Sequence, residues 1–245
     1  MSTEIEARAR LFDAIEGGSP FWSRQIIECG ASAVVEKIDG GGYDRVKYER
    51  IITRIRSISA EEILETIGAT DSQFIYPATE EWPDSLEDLV CPPIALIVRG
   101  DVSLLKSPQL AIVGTRNPTH YGVRVAQDFA AGFVDRNWCI TSGGAYGIDA
   151  AAHKGALIAE GSTIAVLAAG IDINYPAGNT RLFAEICESG AIVTEFMPGQ
   201  RALPHRFLTR NRLIASLSKA TLVVEAAFRS GSLRTARDAA EIFRP

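Results

Sequence analysis

The stretch Leu110-Ala111-Ile112-Val113-Gly114-Thr115-Arg116, with Trp138-Cys139-Ile140-Thr141-Ser142-Gly143-Gly144-Ala145-Tyr146-Gly147-Ile148-Asp149 after it, decides the fold. Each half is a short apolar strand that breaks on a glycine turn and leads into a helix-forming run. Two such turns at the ends of neighbouring parallel strands aim backbone N–H groups and helix N-termini into one crevice, where phosphates bind in doubly wound sheets. Gly114 lets the backbone approach a ligand closely, Thr115 follows it, and the Arg116 guanidinium offers a planar fork. At the second turn, Ser142 is placed to donate to a phosphate oxygen, ahead of Gly143 and Gly144.

Downstream, the candidate strands Thr163–Leu167, Ile192–Glu195 and Thr221–Glu225 alternate with the helices Tyr121–Arg136, Asp149–Glu160, Asn179–Ser189 and Thr209–Leu217. This pattern predicts an α/β fold, a mostly parallel, doubly wound sheet covered on both faces. A final helix, Gly231–Phe243, reaches Pro245, and a sheet of this kind is expected to return into a further strand beyond it. Upstream, residues 4–68 read as short helices joined by glycine turns: one ended by Gly17-Gly18, one from Ser19-Pro20 to Cys29-Gly30, then Ala31–Ile38, Lys47–Ile58, and one started by Ser59. Pro77, Trp82-Pro83 and Pro92-Pro93 make residues 71–93 an extended connector before a strand at Ile94–Val98. The division expected is a small all-helical domain over residues 1–70 and the α/β domain over 71–245.

The bulk properties exclude more than they assign. A 47% hydrophobic and 22% charged composition is that of a globular chain able to bury a core. No apolar run approaches the roughly 20 residues that span a bilayer, and Met1-Ser2-Thr3-Glu4-Ile5-Glu6 lacks the order of a signal peptide. Cys29, Cys91, Cys139 and Cys187 are widely spaced, so buried free thiols in a reducing cytoplasm are expected. The net charge of −5 rules out a surface coated in cations but leaves room for a local basic groove. Walker, GxGxxG, nucleophile-elbow and zinc signatures are all missing, so neither cofactor, metal nor catalysis is expected.

Other residues border the predicted crevice. Asp149 and His153 share a helix face, either as an acid/base dyad or, the commoner arrangement, as a helix-start carboxylate holding an imidazole. Tyr175-Pro176 and Asn179 read as a loop and N-cap lining the crevice. The densest basic stretch, Arg201, His205, Arg206, Phe207, Arg210, Asn211 and Arg212, follows a strand end at Glu195-Phe196-Met197-Pro198-Gly199. Cations around an aromatic ring are what a single-stranded nucleic acid needs, for phosphates and for base stacking. Arg229-Ser230-Gly231-Ser232 adds a third small-residue loop at a helix start.

Taken together, these segments resemble the DNA-processing protein A (DprA/Smf) family. The resemblance rests on Ala111–Arg116, Ser142–Asp149 with Ala152–Leu157, Thr163–Leu167, Asn174-Tyr175-Pro176, Arg210–Ala215, and Val223–Ala226 with Ser230-Gly231-Ser232. It implies an extended Rossmann domain preceded by a helical SAM-like domain, and a cytoplasmic, non-catalytic protein of natural transformation. Such a protein binds and protects single-stranded DNA, helps load the RecA recombinase, and forms a homodimer. By motif, it places the DNA pocket at Arg116, Ser142–Gly144 and the basic stretch before Arg210-Asn211-Arg212. Two positions depart from the pattern: Leu208 follows Phe207 where proline is usual, and Ser216 replaces a glycine.

The Rossmann variant also resembles the nucleoside-monophosphate phosphoribohydrolases of the lysine decarboxylase-like (LOG) group, whose SGGxxG is echoed by Ser142–Gly147. Their second motif is not echoed: with Thr235 aligned, Arg234 falls where glycine belongs and Asp238 where the catalytic glutamate belongs. A third reading makes the N-terminal helices a docking module, for which partner contact or internal packing fits better than DNA, since Gly40-Gly41-Gly42 brings no basic hairpin.

Overall fold

Sequence signals for helix starts dominate the first part of the chain. Thr3 and Ser59 each accept from the backbone three residues on while Glu6 and Glu62 reach back, so α1 (Glu4–Ala14) and α5 (Ala60–Gly68) open on capping boxes. Between them lie α2 (Pro20–Cys29), α3 (Ala31–Asp39) and α4 (Glu49–Ser57). The computed structural model describes residues 3–228 and 230–245. Met1, Ser2 and Arg229, the last in the third loop predicted at the crevice, lie outside the described residues.

The sheet is Rossmann-like. Its strands are β1 (Gln73–Ile75), β2 (Leu96–Gly100), β3 (Gln109–Gly114), β4 (Cys139–Ser142), β5 (Thr163–Leu167), β6 (Ala191–Thr194) and β7 (Ala220–Val224), in the order β1-β2-β6-β5-β4-β3-β7. The five from β6 to β7 are parallel; β2 runs antiparallel to β6, and β1 to β2. Helices α6 (His120–Val134), α7 (Ile148–Ile158), α8 (Thr180–Ser189), α9 (Pro204–Leu217) and α10 (Gly231–Glu241) connect or follow the strands. Alternation along β3 shows both faces covered: Leu110 and Ile112 bury against α6 and α7, Ala111 and Val113 against α9. From β3 the chain steps outward through β4, β5 and β6, then returns to place β7 on the other side of β3. The strand order reverses there, so the crevice opens between the carboxyl ends of β3 and β7.

Three expectations change. The connector over 71–93 contains β1 and a short 3-10 turn, Asp84–Asp88; a strand of three residues carries no readable alternation. Helix α9 begins at Pro204 rather than Thr209, because proline's fixed φ suits a first helical position. His205, Arg206 and Phe207 therefore project from a helical turn, not a loop. The four cysteines are free, but Cys139 alone is buried, and burial pushes its thiol up to about 12.

The buried cluster of the N-terminal helices, with Leu11, Val35, Ile55 and Ile63, continues without a break into Ile97, Leu167, Phe183, Ile186 and Ile192 of the sheet and α8.

Candidate functional site

The crevice at the reversal point is a cavity of about 310 Å³ lined by Thr115, Arg116, Phe207, Asn211, Ser230 and the first turn of α10. Ser230 caps that helix through Leu233 N–H at 3.4 Å, and the Ser230 and Ser232 hydroxyls share a hydrogen bond of 2.8 Å. Beside it opens a small recess of about 50 Å³ walled by Arg116, Tyr146, Tyr175 and Phe207. The Arg116 guanidinium carbon lies 5.3 Å above the Phe207 ring, and Tyr175 leans on Phe207 at 5.5 Å with a 56° tilt. Tyr146 and Tyr175 keep 49% and 48% of their surface in water. Arg116 is exposed and forms no ion pair among the described residues. An unpaired cation among half-exposed rings offers phosphate attraction and stacking faces together.

Behind this surface, the other sequence candidates hold the loops in shape. Ser142 is fully buried and donates to Ile112 O at 2.6 Å, so it cannot reach a phosphate. A Cβ at Gly143 would meet the Arg210 guanidinium at 2.5 Å, and one at Gly144, where φ is 68°, would meet Phe183 at 2.6 Å. Gly114 also serves packing: a Cβ there would strike Val224 O and Ile148, so glycine lets β3, β7 and α7 close up. Arg210 is buried, donating to Gly143 O at 2.8 Å, to Val166 O, and to Asn211 Oδ1 at 3.3 Å. Asn211 passes the link on to Gly231 O at 3.1 Å. Asn179 occupies an N-cap position but spends its amide on Gly144 O and Ala145 O, at 2.9 and 3.3 Å. Asp149 accepts from Ala145 N–H at 3.3 Å. Burial pushes the Asp149 carboxyl up against the pull of Arg210, and pushes Arg210 down to about 10 against the pull of Asp149.

The basic stretch does not converge. His205 Nε2 and Arg206 Nε both meet Glu16 Oε1 of the helical module, at 2.9 and 2.7 Å, and Arg206 stacks over Phe196 at 4.6 Å. Arg212 turns inward, with both Glu195 oxygens at 2.7 Å; burial still pushes the Glu195 carboxyl up, Arg212 opposing. Of His205, Arg206 and Phe207, it is Phe207 that joins Arg116, because successive residues of a helical turn point about 100° apart, while Asn211 lines the crevice from the next turn. Asp149 does not hold His153 either. The imidazole is fully buried, with Nδ1 2.7 Å from Thr163 Oγ1. The Thr163 hydroxyl donates to Ile140 O at 2.7 Å, so Nδ1 carries the proton and the partnerless Nε2 is a lone pair. Burial pushes this histidine down to about 3.

Sequence reasoning passed over Tyr146 as a site ring. The signal was there: an aromatic in a glycine loop, where local packing calls for small residues. Its hydroxyl accepts from Gly178 N–H at 3.2 Å, fixing the ring at the crevice rim. In the phosphoribohydrolase alignment, Thr235 borders the crevice, whereas Asp238 is buried beneath an ion pair to Arg234 and faces a different cavity.

The family model for DNA recombination-mediator protein A matches residues 73–245. A putative DNA processing protein DprA of Mycobacterium tuberculosis is 44% identical over 190 residues, 72% of this chain and 49% of the relative. Protein Smf of Escherichia coli is 46% identical over 169 residues, 68% of this chain and 45% of the relative. The chain thus spans about half the length of these relatives. The crystal structure of DprA from Streptococcus pneumoniae superposes with a TM-score of 0.84 at 29% identity, over 99% of this chain and 85% of that one. A structure of Helicobacter pylori DNA processing protein A, described for its single-stranded DNA binding mode, gives 0.66 at 32% identity, over 72% of this chain and 80% of that one.

Proposed function

The chain belongs to the DNA recombination-mediator protein A family, and from that premise we propose that it binds single-stranded DNA at the crevice between β3 and β7, without catalysis. The observation that carries the proposal is the Arg116 guanidinium over Phe207, with Tyr175 and Tyr146 beside them. Arg116 attracts a phosphate, the rings take bases, and the N-terminal turn of α10 presents its amides to a second anion. In the wider proposal the protein acts in DNA processing during transformation, in the cytoplasm, as a homodimer that shields the incoming strand and helps RecA onto it. The strand-binding mode described for the H. pylori relative supports this reading.

Nucleotide hydrolysis is disfavoured, since Asp238 is turned from the crevice and neutralised by Arg234. The test is a gel shift with single- and double-stranded oligonucleotides of one sequence over a salt series. Single strands are expected to bind more tightly, and Arg116→Ala to weaken them while lowering the salt slope by about 0.7. Equal affinity for both forms, or an unchanged Arg116→Ala, would remove the assignment. Ribose 5-phosphate release from AMP would replace it with the enzymatic reading.

A further inference from the structure

We propose that the helical module carries a second stacking station for single-stranded DNA, formed by Phe21, Tyr48, Lys47 and Arg50, onto which a strand leaving the crevice continues. This rests on the single-strand reading of the crevice. The segment Tyr43-Asp44-Arg45-Val46-Lys47-Tyr48-Glu49-Arg50 interleaves cations with aromatics, and nothing in the fold so far uses that pattern. Phe21, in the first turn of α2, lies flat on Tyr48 with ring centroids 5.1 Å apart and planes 14° apart. It stays 41% exposed, although its neighbour Trp22 buries to 3% in the same aromatic cluster. The Lys47 ammonium sits 5.2 Å from the Tyr48 ring and 6.0 Å from that of Phe21, so a cation and stacked rings face water together.

Around this station the three cations Arg45, Lys47 and Arg50 outnumber the two carboxylates, Asp44 and Glu49. Lys47 and Arg50 are exposed and form no ion pair among the described residues, as does Arg45 beside them. One Asp44 oxygen is engaged by the N–H groups of Val46 and Lys47, at 2.9 and 3.0 Å. The station also borders the α/β part. A cleft of about 260 Å³ has Lys47, Tyr48 and Arg50 among its lining residues, together with Phe196 and Arg206 of the α/β part. Helix α9 borders both openings, with Phe207 lining the crevice and Arg206 lining the cleft. The acidic groups in the cleft are already paired: Asp13 with Arg54, Glu195 with Arg212, and Glu16 with His205 and Arg206.

Oligothymidylates of increasing length, titrated against the whole chain over a salt series, test this. Affinity of the unaltered protein is expected to rise in a second step once the strand outgrows the crevice. The double variant Lys47→Gln/Arg50→Gln should bind short strands unchanged and lose the second step, with the long-strand salt slope lowered by about 0.7 per phosphate contact removed. Phe21→Leu keeps an apolar side chain in the cluster but removes the ring, and should bind long strands about tenfold more weakly, the loss of one stacked base. Melting curves that match the unaltered protein keep misfolding out of the comparison. Long-strand affinity and slope unchanged in both variants would overturn the second station. So would a duplex gaining as much from length as a single strand does. Short strands that bind equally well to Arg116→Ala would instead refute the crevice reading, and no single-strand binding at all would refute both.

Discussion

At the scale of single residues, the site divides into groups that face solvent and groups that satisfy the backbone. Arg116 and Phe207 were readable, because a cation at a strand end and a ring within a basic run have few structural uses in those places. Ser142, Asn179 and Arg210 look equally suited to phosphate in sequence, yet each is consumed by carbonyl groups. No sequence pattern separates a hydroxyl aimed at a ligand from one aimed at a neighbouring strand. Two outcomes belong here. Gly114→Ala should lower stability by about 3 kcal/mol or more, since its Cβ would overlap a β7 carbonyl that cannot swing aside; denaturant titration measures it. The second concerns His153, which is held neutral with its folded value depressed to about 3. The unfolded chain then takes up a proton that the folded one refuses, so stability falls as pH drops below about 6.5, by up to about 1.4 kcal/mol per pH unit from this group. Buried Asp149 and Glu195, raised above their ordinary values, act in the opposite sense between those values and the raised ones. His153→Asn keeps a donor toward Thr163 and cannot titrate, so its stability between pH 6.5 and pH 5 should be flatter; an unchanged slope would place the acid sensitivity elsewhere.

Elements were more legible than residues, where their signals were local. The capping box at Ser59 and the proline of α2 marked helix starts that the chain uses. β1 escaped notice because it forms only by pairing with β2, a contact that no local pattern encodes. The start of α9 has a different cause: a run of cations ahead of Thr209 masks the helix that Pro204 begins. The glycine loop between β4 and α7 shows how elements cooperate, since α7, α9 and the start of α8 each send one buried polar side chain to it. Asn179→Ala would strand the Gly144 and Ala145 carbonyls and should cost about 1–3 kcal/mol. It should also weaken single-strand binding, although Asn179 itself is buried, because Tyr146 rides on the loop it braces. Equal affinity in a destabilised Asn179→Ala protein would show that the loop's shape does not matter to the site.

At the scale of the molecule, the question is whether the helical module and the sheet fold as one. Composition and turn signals divide the chain near residue 70, and that division says nothing about packing across it. The described structure gives the two parts a common apolar cluster, with Leu11, Val35 and Ile55 in the same buried body as Leu167, Phe183 and Ile192. Polar contacts fasten the rim: Glu16 takes hydrogen bonds from His205 and Arg206, and Arg8 donates to Ile94 O at 2.7 Å. Burial raises the Glu16 carboxyl, but the bonds from His205 and Arg206 outweigh it and hold the group below its ordinary value. That contribution is present above the ordinary carboxylate range and is lost on acidification through the lowered value. Exposed pairs of this kind stabilise by at most about 1 kcal/mol, so the apolar cluster is the stronger link. Removing the module would expose that cluster to water, an opening far costlier than loss of the rim contacts. Heating should therefore melt both parts in one transition. Trp22 reports the module, and Trp138 packs against Phe133 at 5.4 Å in the α/β part. Variants that keep one of these two tryptophans, with the other and Trp82 changed to phenylalanine, should give coincident melting curves. Glu16→Gln should leave them coincident while raising single-strand affinity, because Arg206 is then released toward a phosphate. Separate transitions for the two tryptophans would mean that the shared cluster does not couple the parts, and the module would then be a tethered domain rather than a wall of the same core.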